Sequence, residues 1–279
     1  MDEDKLEKKE GKKTFRSNLK PTVEVLEKLV FTEAQEAVLR KTKFWNFIEA
    51  IKQGKVGKAE CSKAPRALEF IIRNFDPKEL AFKIGDQVFK TDANHLAVIF
   101  KMQRIRMSEQ DKKLYGPKED PSLKTYEFYN KYFLEPKRRD EEEKKKDEKK
   151  KAGAKEKKRK EKNTGDKLDK KYIVEGIHTA MNEEGTEEDL AKLLLLFMFC
   201  TVFFINTGGM YVQYKYLNCL QSIDTINKVS WPDLIHEHLM QSVKAVYETP
   251  CSINGCSFYL LLWIFEQMKG INRKDNSDS

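Results

Sequence analysis

Three features of the sequence predict a mainly α-helical fold. One apolar run is too long for a strand, helix-start signals recur along the chain, and only one segment alternates around a hairpin turn. The run is Leu190–Ile205, LAKLLLLFMFCTVFFI, in which the thirteen residues from Leu193 to Ile205 are all apolar except Thr201. A bilayer span needs about 20 residues, so this length predicts a helix buried on all sides within a core. Thr186, followed by Glu187, Glu188 and Asp189, offers a capping hydroxyl and three carboxylates at the positive end of the helix. Asn206-Thr207-Gly208-Gly209 offers the stop. The expected architecture is a helical domain around this central helix, with one small β-hairpin and a long disordered charged insertion.

Residues 1–20 are polar and low in complexity and read as a disordered tail, with structure beginning near Phe31. Thr32 and Gln35 have capping-box spacing, with Phe31 at the staple position. Phe44, Phe47, Ile48 and Ile51 give the next helix a face, and Gly54 and Gly57 break it. Pro65 opens a helix carrying Leu68, Ile71 and Ile72, which Asn74-Phe75-Asp76-Pro77 closes. Leu80–Ile84 alternates, Gly85-Asp86 turns and Gln87–Lys90 continues, which predicts the hairpin. Thr91-Asp92 caps a helix through Leu96, Ile99 and Phe100. Residues 104–122 read as loop, and Ser122 then starts a helix with Tyr126, Tyr129, Tyr132 and Phe133 that ends before Pro136.

The charged block follows. Residues 137–171 hold 18 Lys and Arg against 10 Asp and Glu, an excess equal to the whole chain's formal charge of +8, so the remainder is neutral. Some Glu-to-Lys pairs at i,i+4 support transient helix, but the block lacks an apolar face and reads as disordered. Helical pattern resumes at Tyr172, Ile173, Ile177 and Met181 and leads into the central helix. Val212, Tyr216, Leu217, Leu220 and Ile223 predict a further helix, and Ser230-Trp231-Pro232-Asp233 is a strong helix start. That helix stops before Pro250. After Asn254-Gly255, residues Cys256–Met268 form a last helix, apolar nearly all round. The domain reading is a tail 1–20, an N-terminal half 21–135, an insertion 136–171, a C-terminal half 172–270 and a tail 271–279.

With the elements in order, the chain resembles the aminotransferase-like plant mobile domain proteins. It is also similar to the region ahead of SUMO-type cysteine protease domains in transposon-derived plant proteins. The blocks that carry this are FTEAQEAVLRKTKFWNFIEA, PRALEFIIRNFDP, FKIGDQVFKTDANHLAVIF, LLLLFMFCTVFF, VSWPDLIHEHLMQSV and INGCSFYLLLWIFEQ, over residues 31–103 and 172–269. Where many relatives have a Gly-Leu-Pro turn, this chain has Phe100-Lys101-Met102-Gln103. The resemblance implies one mostly helical domain spanning both sides of the insertion, linked to transposable elements and, in some members, to nuclear silencing. It does not imply aminotransferase chemistry.

Catalytic patterns are weak. His236-Glu237-His238 places its imidazoles about 200° apart on a helix, which is wrong for one metal. The neighbouring Cys251 and Cys256 are not spaced as a deaminase pair. Cys256 precedes an apolar helix and reads as a buried thiol, with His95 and His178 unplaced. Five cysteines without repeating spacing, and a charged opening without an apolar h-region, predict a reducing intracellular compartment. No cofactor, metal or catalytic residue is predicted. Aromatic and basic residues from Lys124 to Arg139 read as a core face, with base stacking as the alternative.

Lys137, Arg138 and Arg139, with Lys157, Lys158, Arg159 and Lys160, are basic clusters of the kind import receptors read. The expected function is a non-enzymatic nuclear interaction module of transposon origin, with protein partners, an import receptor among them, and no membrane association. A nucleic-acid binder using a local basic or aromatic surface is the first alternative, although the neutral folded part does not favour it. A degenerate companion of a SUMO-type protease, or an enzyme, is another; cytoplasm is the alternative compartment. Trp231 and Trp263 read as framework.

Overall fold

The computed structural model describes residues 19–56, 65–151, 167–206, 210–248 and 253–275, and these are mainly helical. Helix α1 (Leu19–Lys28) lies partly in the stretch expected to be a tail. Leu19, Val23 and Leu26 recur at helical spacing and are buried, with Thr22 between them, so structure begins well before Phe31. Helix α2 (Glu33–Arg40) opens with the expected box: Thr32 Oγ1 accepts from Gln35 N, and Gln35 Oε1 accepts from Thr32 N. Helix α3 (Trp45–Lys52) follows, its chain leaving through Gly54 at φ +68.

Helix α4 (Pro65–Arg73) runs into a three-stranded antiparallel sheet, β1 (Phe75–Asp76), β2 (Ala81–Ile84) and β3 (Gln87–Phe89). The expected hairpin is β2–β3, and the segment expected only to close α4 adds an edge, with Phe75 opposite Phe82. That added strand places two rings in contact, 5.1 Å between centroids. Asp92 caps helix α5 (Ala93–Ile99), accepting from Asn94 N and His95 N.

The stretch read as loop contains helix α6 (Glu109–Tyr115), opened by a second capping box from Ser108 and Asp111. Asp120, not Ser122, caps the 3-10 turn Pro121–Thr125, and Ser122 donates to it. Helix α7 (Glu127–Tyr129), a π-turn Asn130–Leu134 and helix α8 (Glu135–Lys151) then run on without a break. Pro136 therefore does not end the helix. A proline ring clashes with the carbonyl four residues back, and the wide turn directly ahead of it relieves that contact.

Part of the block expected to be disordered is thus helical. Its first turns lean on helix α9 (Lys170–Asn182): Arg139 pairs with Glu175 at 3.2 Å, and Asp140 accepts from Tyr172 Oη at 3.0 Å and from Lys171. The far end of the block is ordered too. Strand β4 (Lys167–Asp169) pairs antiparallel with β5 (Tyr211–Gln213), and Leu168, the only large apolar residue there, is buried opposite Val212. Residues 152–166 between them, and the Gly208-Gly209 stop, lie outside the described residues.

Helix α10 (Glu187–Met198) is the centre, with every residue from Leu190 to Met198 buried. It widens into a π-turn, Phe199–Phe203, where Thr201 Oγ1 donates back to Phe197 O at 2.6 Å and Phe204 N reaches Phe199 O. Thr186 marks its start without capping it; the hydroxyl donates backward to Ala180 O and Glu183 O. Helices α9 and α2 pack along it, and α1 meets the π-turn through Thr22 and Thr201, hydroxyl to hydroxyl at 2.6 Å. Gly176 allows the close approach of α9, since a Cβ there would sit 2.9 Å from Leu193 Cδ2.

A 3-10 helix, Tyr214–Leu220, and the short α11 (Ile223–Lys228) replace the single helix expected after Gly209. Helices α12 (Trp231–Glu248) and α13 (Ser257–Asp275) complete the fold, the latter beyond the expected end near Met268. Among the described residues no helix is long and apolar enough to cross a membrane.

Among the described residues, one charged side chain is buried in this core. The Lys192 side chain is 5% exposed, 2.8 Å from the Glu188 carboxylate and 3.0 Å from Tyr126 Oη, over the rings of Tyr126 and Phe128 at 5.6 Å from each centre. Burial disfavours its charge, but Glu188 and Tyr126 outweigh that and raise its pKa. Lys192→Ala should cost about 1–3 kcal/mol by leaving Tyr126 without its donor and a gap beneath the rings. Lys192→Met fills the same volume, and Glu188 stays solvated, so it should cost less than about 1.5 kcal/mol. Urea unfolding of both variants decides; a methionine as damaging as alanine would assign the effect to the ion pair and not to packing.

Candidate functional site

A cleft of about 950 Å³ opens between the start of α5, the segment from Arg104 through α6, and the first turns of α12. Local rules build its walls. Ser230, Trp231, Pro232 and Asp233 start α12 as their types predict, and Ser230 Oγ donates to the Asp233 carboxylate. Ser230 N donates to Met107 Sδ at 3.2 Å, which lays the incoming segment across the helix start.

Arg104 then clasps the two sides. Its Nε and Nη2 reach Asp233 at 3.0 and 2.7 Å, and Nη1 donates to Asn94 Oδ1 at 2.8 Å. Burial disfavours an ionised Asp233, yet the Arg104 and Ser230 hydrogen bonds hold its carboxyl below the usual range. Lys112 is taken up by Glu109 at 2.6 Å. Arg106 and Glu237 line the cleft without an ion pair among the described residues, beside the apolar side chains of Ile105, Met107 and Leu234.

His236 closes the inner wall. Burial lowers its pKa, with Asp92 and Asp233 pulling the other way, and its ring lies 6.4 Å from that of Tyr259. Tyr259 Oη bonds the Thr91 hydroxyl and donates to Asp92 O at 3.3 Å, tying α13 to the cap of α5. His238 faces away, its ring 5.4 Å from Phe204, so the two imidazoles are separated as their spacing requires. Gly255, at φ +89, comes so close that a Cβ would lie 3.1 Å from His238.

His95 sits in the capping box of α5, and His178 is exposed on α9. Cys200 in the π-turn, Cys219 in the 3-10 helix and Cys256 just ahead of α13 are buried free thiols, and burial pushes Cys200 and Cys256 up to about 12. Cys61 and Cys251 lie outside the described residues. Among the described residues no group of three or more His, Cys, Asp or Glu is placed to hold a metal ion.

The aromatic stretch after Lys124 packs inward: Phe128, Tyr132 and Phe133 are buried, and burial raises Tyr132 to about 12. Lys137, Arg138 and Arg139 ride on the first turns of α8, with Arg138 beside Glu175 and Thr179 in a smaller groove of about 520 Å³. Lys157, Lys158, Arg159 and Lys160 lie outside the described residues. The sequence alone does not single out Arg104, Arg106 and Met107, because residues 104–122 read as loop. The Ser108–Asp111 spacing was the available sign that this stretch is built.

His238 gives the site's neighbourhood a measurable acid sensitivity. Burial, aided by Lys215, lowers its pKa from 6.5 to about 4. Unfolding therefore takes up a proton between these values, so the contribution is whole above the unfolded pKa and is lost as pH falls toward 4. The loss should be about 3 kcal/mol, at ~1.4 kcal/mol per pKa unit. Denaturant unfolding of the wild type and His238→Gln, near neutrality and near pH 4, separates this from the carboxylates. Parallel losses in the two proteins would refute it.

The family model described as Domain of unknown function (DUF8566) matches residues 15–261. No curated protein and no solved structure matches the chain. With the match running from ahead of α1 into α13 and taking in every wall of the cleft, the chain belongs to the DUF8566 family.

Proposed function

We propose that the chain is a non-enzymatic interaction module of transposon origin that works in the nucleus and holds a protein partner in the Arg104–Glu237 cleft. The carrying observation is how the cleft's charges are spent. Arg104, Asp233, Lys112 and Glu109 are committed to one another, so they stiffen the walls and are not poised for proton transfer. Among the described residues, what the cleft leaves without an ion pair is Arg106 and Glu237, the latter accepting only from Gln241 at 3.1 Å, beside the apolar Ile105, Met107 and Leu234, the mixed surface that polypeptide segments fit. The resemblance to plant mobile domain proteins supports the transposon origin, and the basic clusters of the charged block support nuclear entry.

Arg106→Glu combined with Glu237→Lys should leave thermal unfolding unchanged, since both side chains lack ion pairs, while removing partners recovered with a tagged wild-type chain from nuclei. Recovery of the same partners would overturn the cleft assignment. In the same cells, a large fluorescent fusion should lose nuclear accumulation when the clusters Lys137–Arg139 and Lys157–Lys160 are replaced by alanine. An unchanged nuclear signal would remove the import role.

A further inference from the structure

Cations gather along one margin of the cleft. Arg106 and Lys112 line it, and Lys113 follows Lys112 on α6. At the end of that helix the Lys228 ammonium lies 4.8 Å from the centre of the Tyr115 ring and 3.3 Å from its hydroxyl. Helix α11, which ends at Lys228, is joined in turn to the turn after α2. Asn227 Nδ2 donates to Lys41 O at 2.8 Å, and Lys43 Nζ donates to Val229 O at 3.2 Å. These contacts set Lys228 at the end of α6 and bring the segment that carries Lys41 and Lys43 beside α11, so Arg106, Lys112, Lys113 and Lys228 lie on the elements next to the cleft and Lys41 and Lys43 beyond them.

Three carboxylates share α6 and α11 with them, and two are engaged: Glu109 with Lys112, and Asp111 with the Ser108 cap. Arg106, Lys113 and Lys41 have no ion pair among the described residues. The margin thus carries more cations than acids and opens into a cleft lined by Ile105, Met107 and Leu234, with Glu237 the acid on its α12 side that an incoming carboxylate must avoid.

We propose that this margin and cleft together receive an acidic polypeptide segment carrying an apolar anchor, with carboxylates on Arg106, Lys113 and Lys228 and the anchor against Met107 and Leu234. This rests on the reading of the chain as an interaction module and names its partner's chemistry. Nucleic acid fits the margin less well. Its evenly spaced phosphates would meet Glu109, Asp111 and Asp224 along the same path, and the Tyr115 face that could stack a base is covered by Lys228. A peptide places its carboxylates at intervals that can avoid the acids.

The test is fluorescence anisotropy of the full chain with three labelled probes: an acidic peptide with one central leucine, the same peptide with serine in its place, and a single-stranded oligonucleotide. The leucine peptide should bind saturably, more weakly as salt rises, and more tightly than the serine peptide. Arg106→Glu with Lys113→Glu should weaken it at least about tenfold without moving the melting temperature. Equal binding of the leucine and serine peptides, undiminished binding by the double variant, or displacement by the oligonucleotide would each overturn the proposal. If no peptide binds while the cleft variant still loses its nuclear partners, the acidic-partner inference fails and the interaction-module reading stands.

Discussion

Trp231→Ala should cost about 3–5 kcal/mol, the range for emptying a buried aromatic site. The indole is fully buried and joins distant parts of the chain. Its ring centroid lies 5.3 Å from Phe44 after α2 and 4.9 Å from Phe199 at the π-turn, and Nε1 donates to Ile226 O at 2.9 Å. Removal opens a cavity at the junction of three elements and takes from Ile226 O the shorter of its two hydrogen bonds, leaving Val229 N at 3.4 Å. Against a total stability of about 5–15 kcal/mol, that leaves a chain that melts without cooperativity or aggregates. Trp231→Phe keeps most of the ring and loses the hydrogen bond, so about 1–3 kcal/mol is expected. Cooperative unfolding of the alanine variant with a near-native midpoint would show that the hub is not where the fold is held.

Trp263→Ala should be comparably damaging, about 3–5 kcal/mol, for a different set of contacts. Trp263 is 1% exposed on α13 and packs on Phe82 at 5.4 Å and edge-on to Phe89 at 6.3 Å, which fastens the small sheet to the helices. Its Nε1 has no hydrogen-bond partner among the described residues, in contrast to Trp231. Trp263→Phe should therefore be the milder of the two phenylalanine substitutions, below about 1.5 kcal/mol. Chemical denaturation of the four variants tests both orders. A Trp263→Ala protein that folds normally and loses only a binding partner would make that end of α13 a recognition surface.

The parts of this fold that were legible in the sequence are those whose cause is local. Thr32 with Gln35, and Asp92, announce helix starts because the groups that satisfy the first amides lie within three residues, and Ser230 with Asp233 does so through a side-chain bond of the same span. The run from Leu193 to Phe203 announces its burial because no face of it suits water. Some misses were local as well. Leu19, Val23 and Leu26 carry a helical period, and Ser108 with Asp111 a capping box, yet the polar residues around them drew both stretches into tail and loop.

Other features depend on the tertiary arrangement. β1 exists because Phe75 finds Phe82, and β4 because Leu168 finds Val212. The helical start of the charged block owes its place to Arg139 and Asp140 meeting α9. Least legible was the cleft, since Arg104 and Asp233 are 129 residues apart and neither has a local signature of the other. Histidine spacing, by contrast, was a sound guide: two residues apart on α12, His236 and His238 face Tyr259 and Phe204 respectively.

The central claim is that the cleft is where a protein partner sits, and site-specific photo-crosslinking tests it most directly. A photoreactive residue replaces Leu234 inside the cleft in one protein, and Val30, 81% exposed between α1 and α2, in another. Irradiation in the nucleus should give a discrete higher-mass adduct from position 234, lost with Arg106→Glu, and none from position 30. An adduct from position 30 with none from 234 would contradict the account and move the binding surface elsewhere on the molecule.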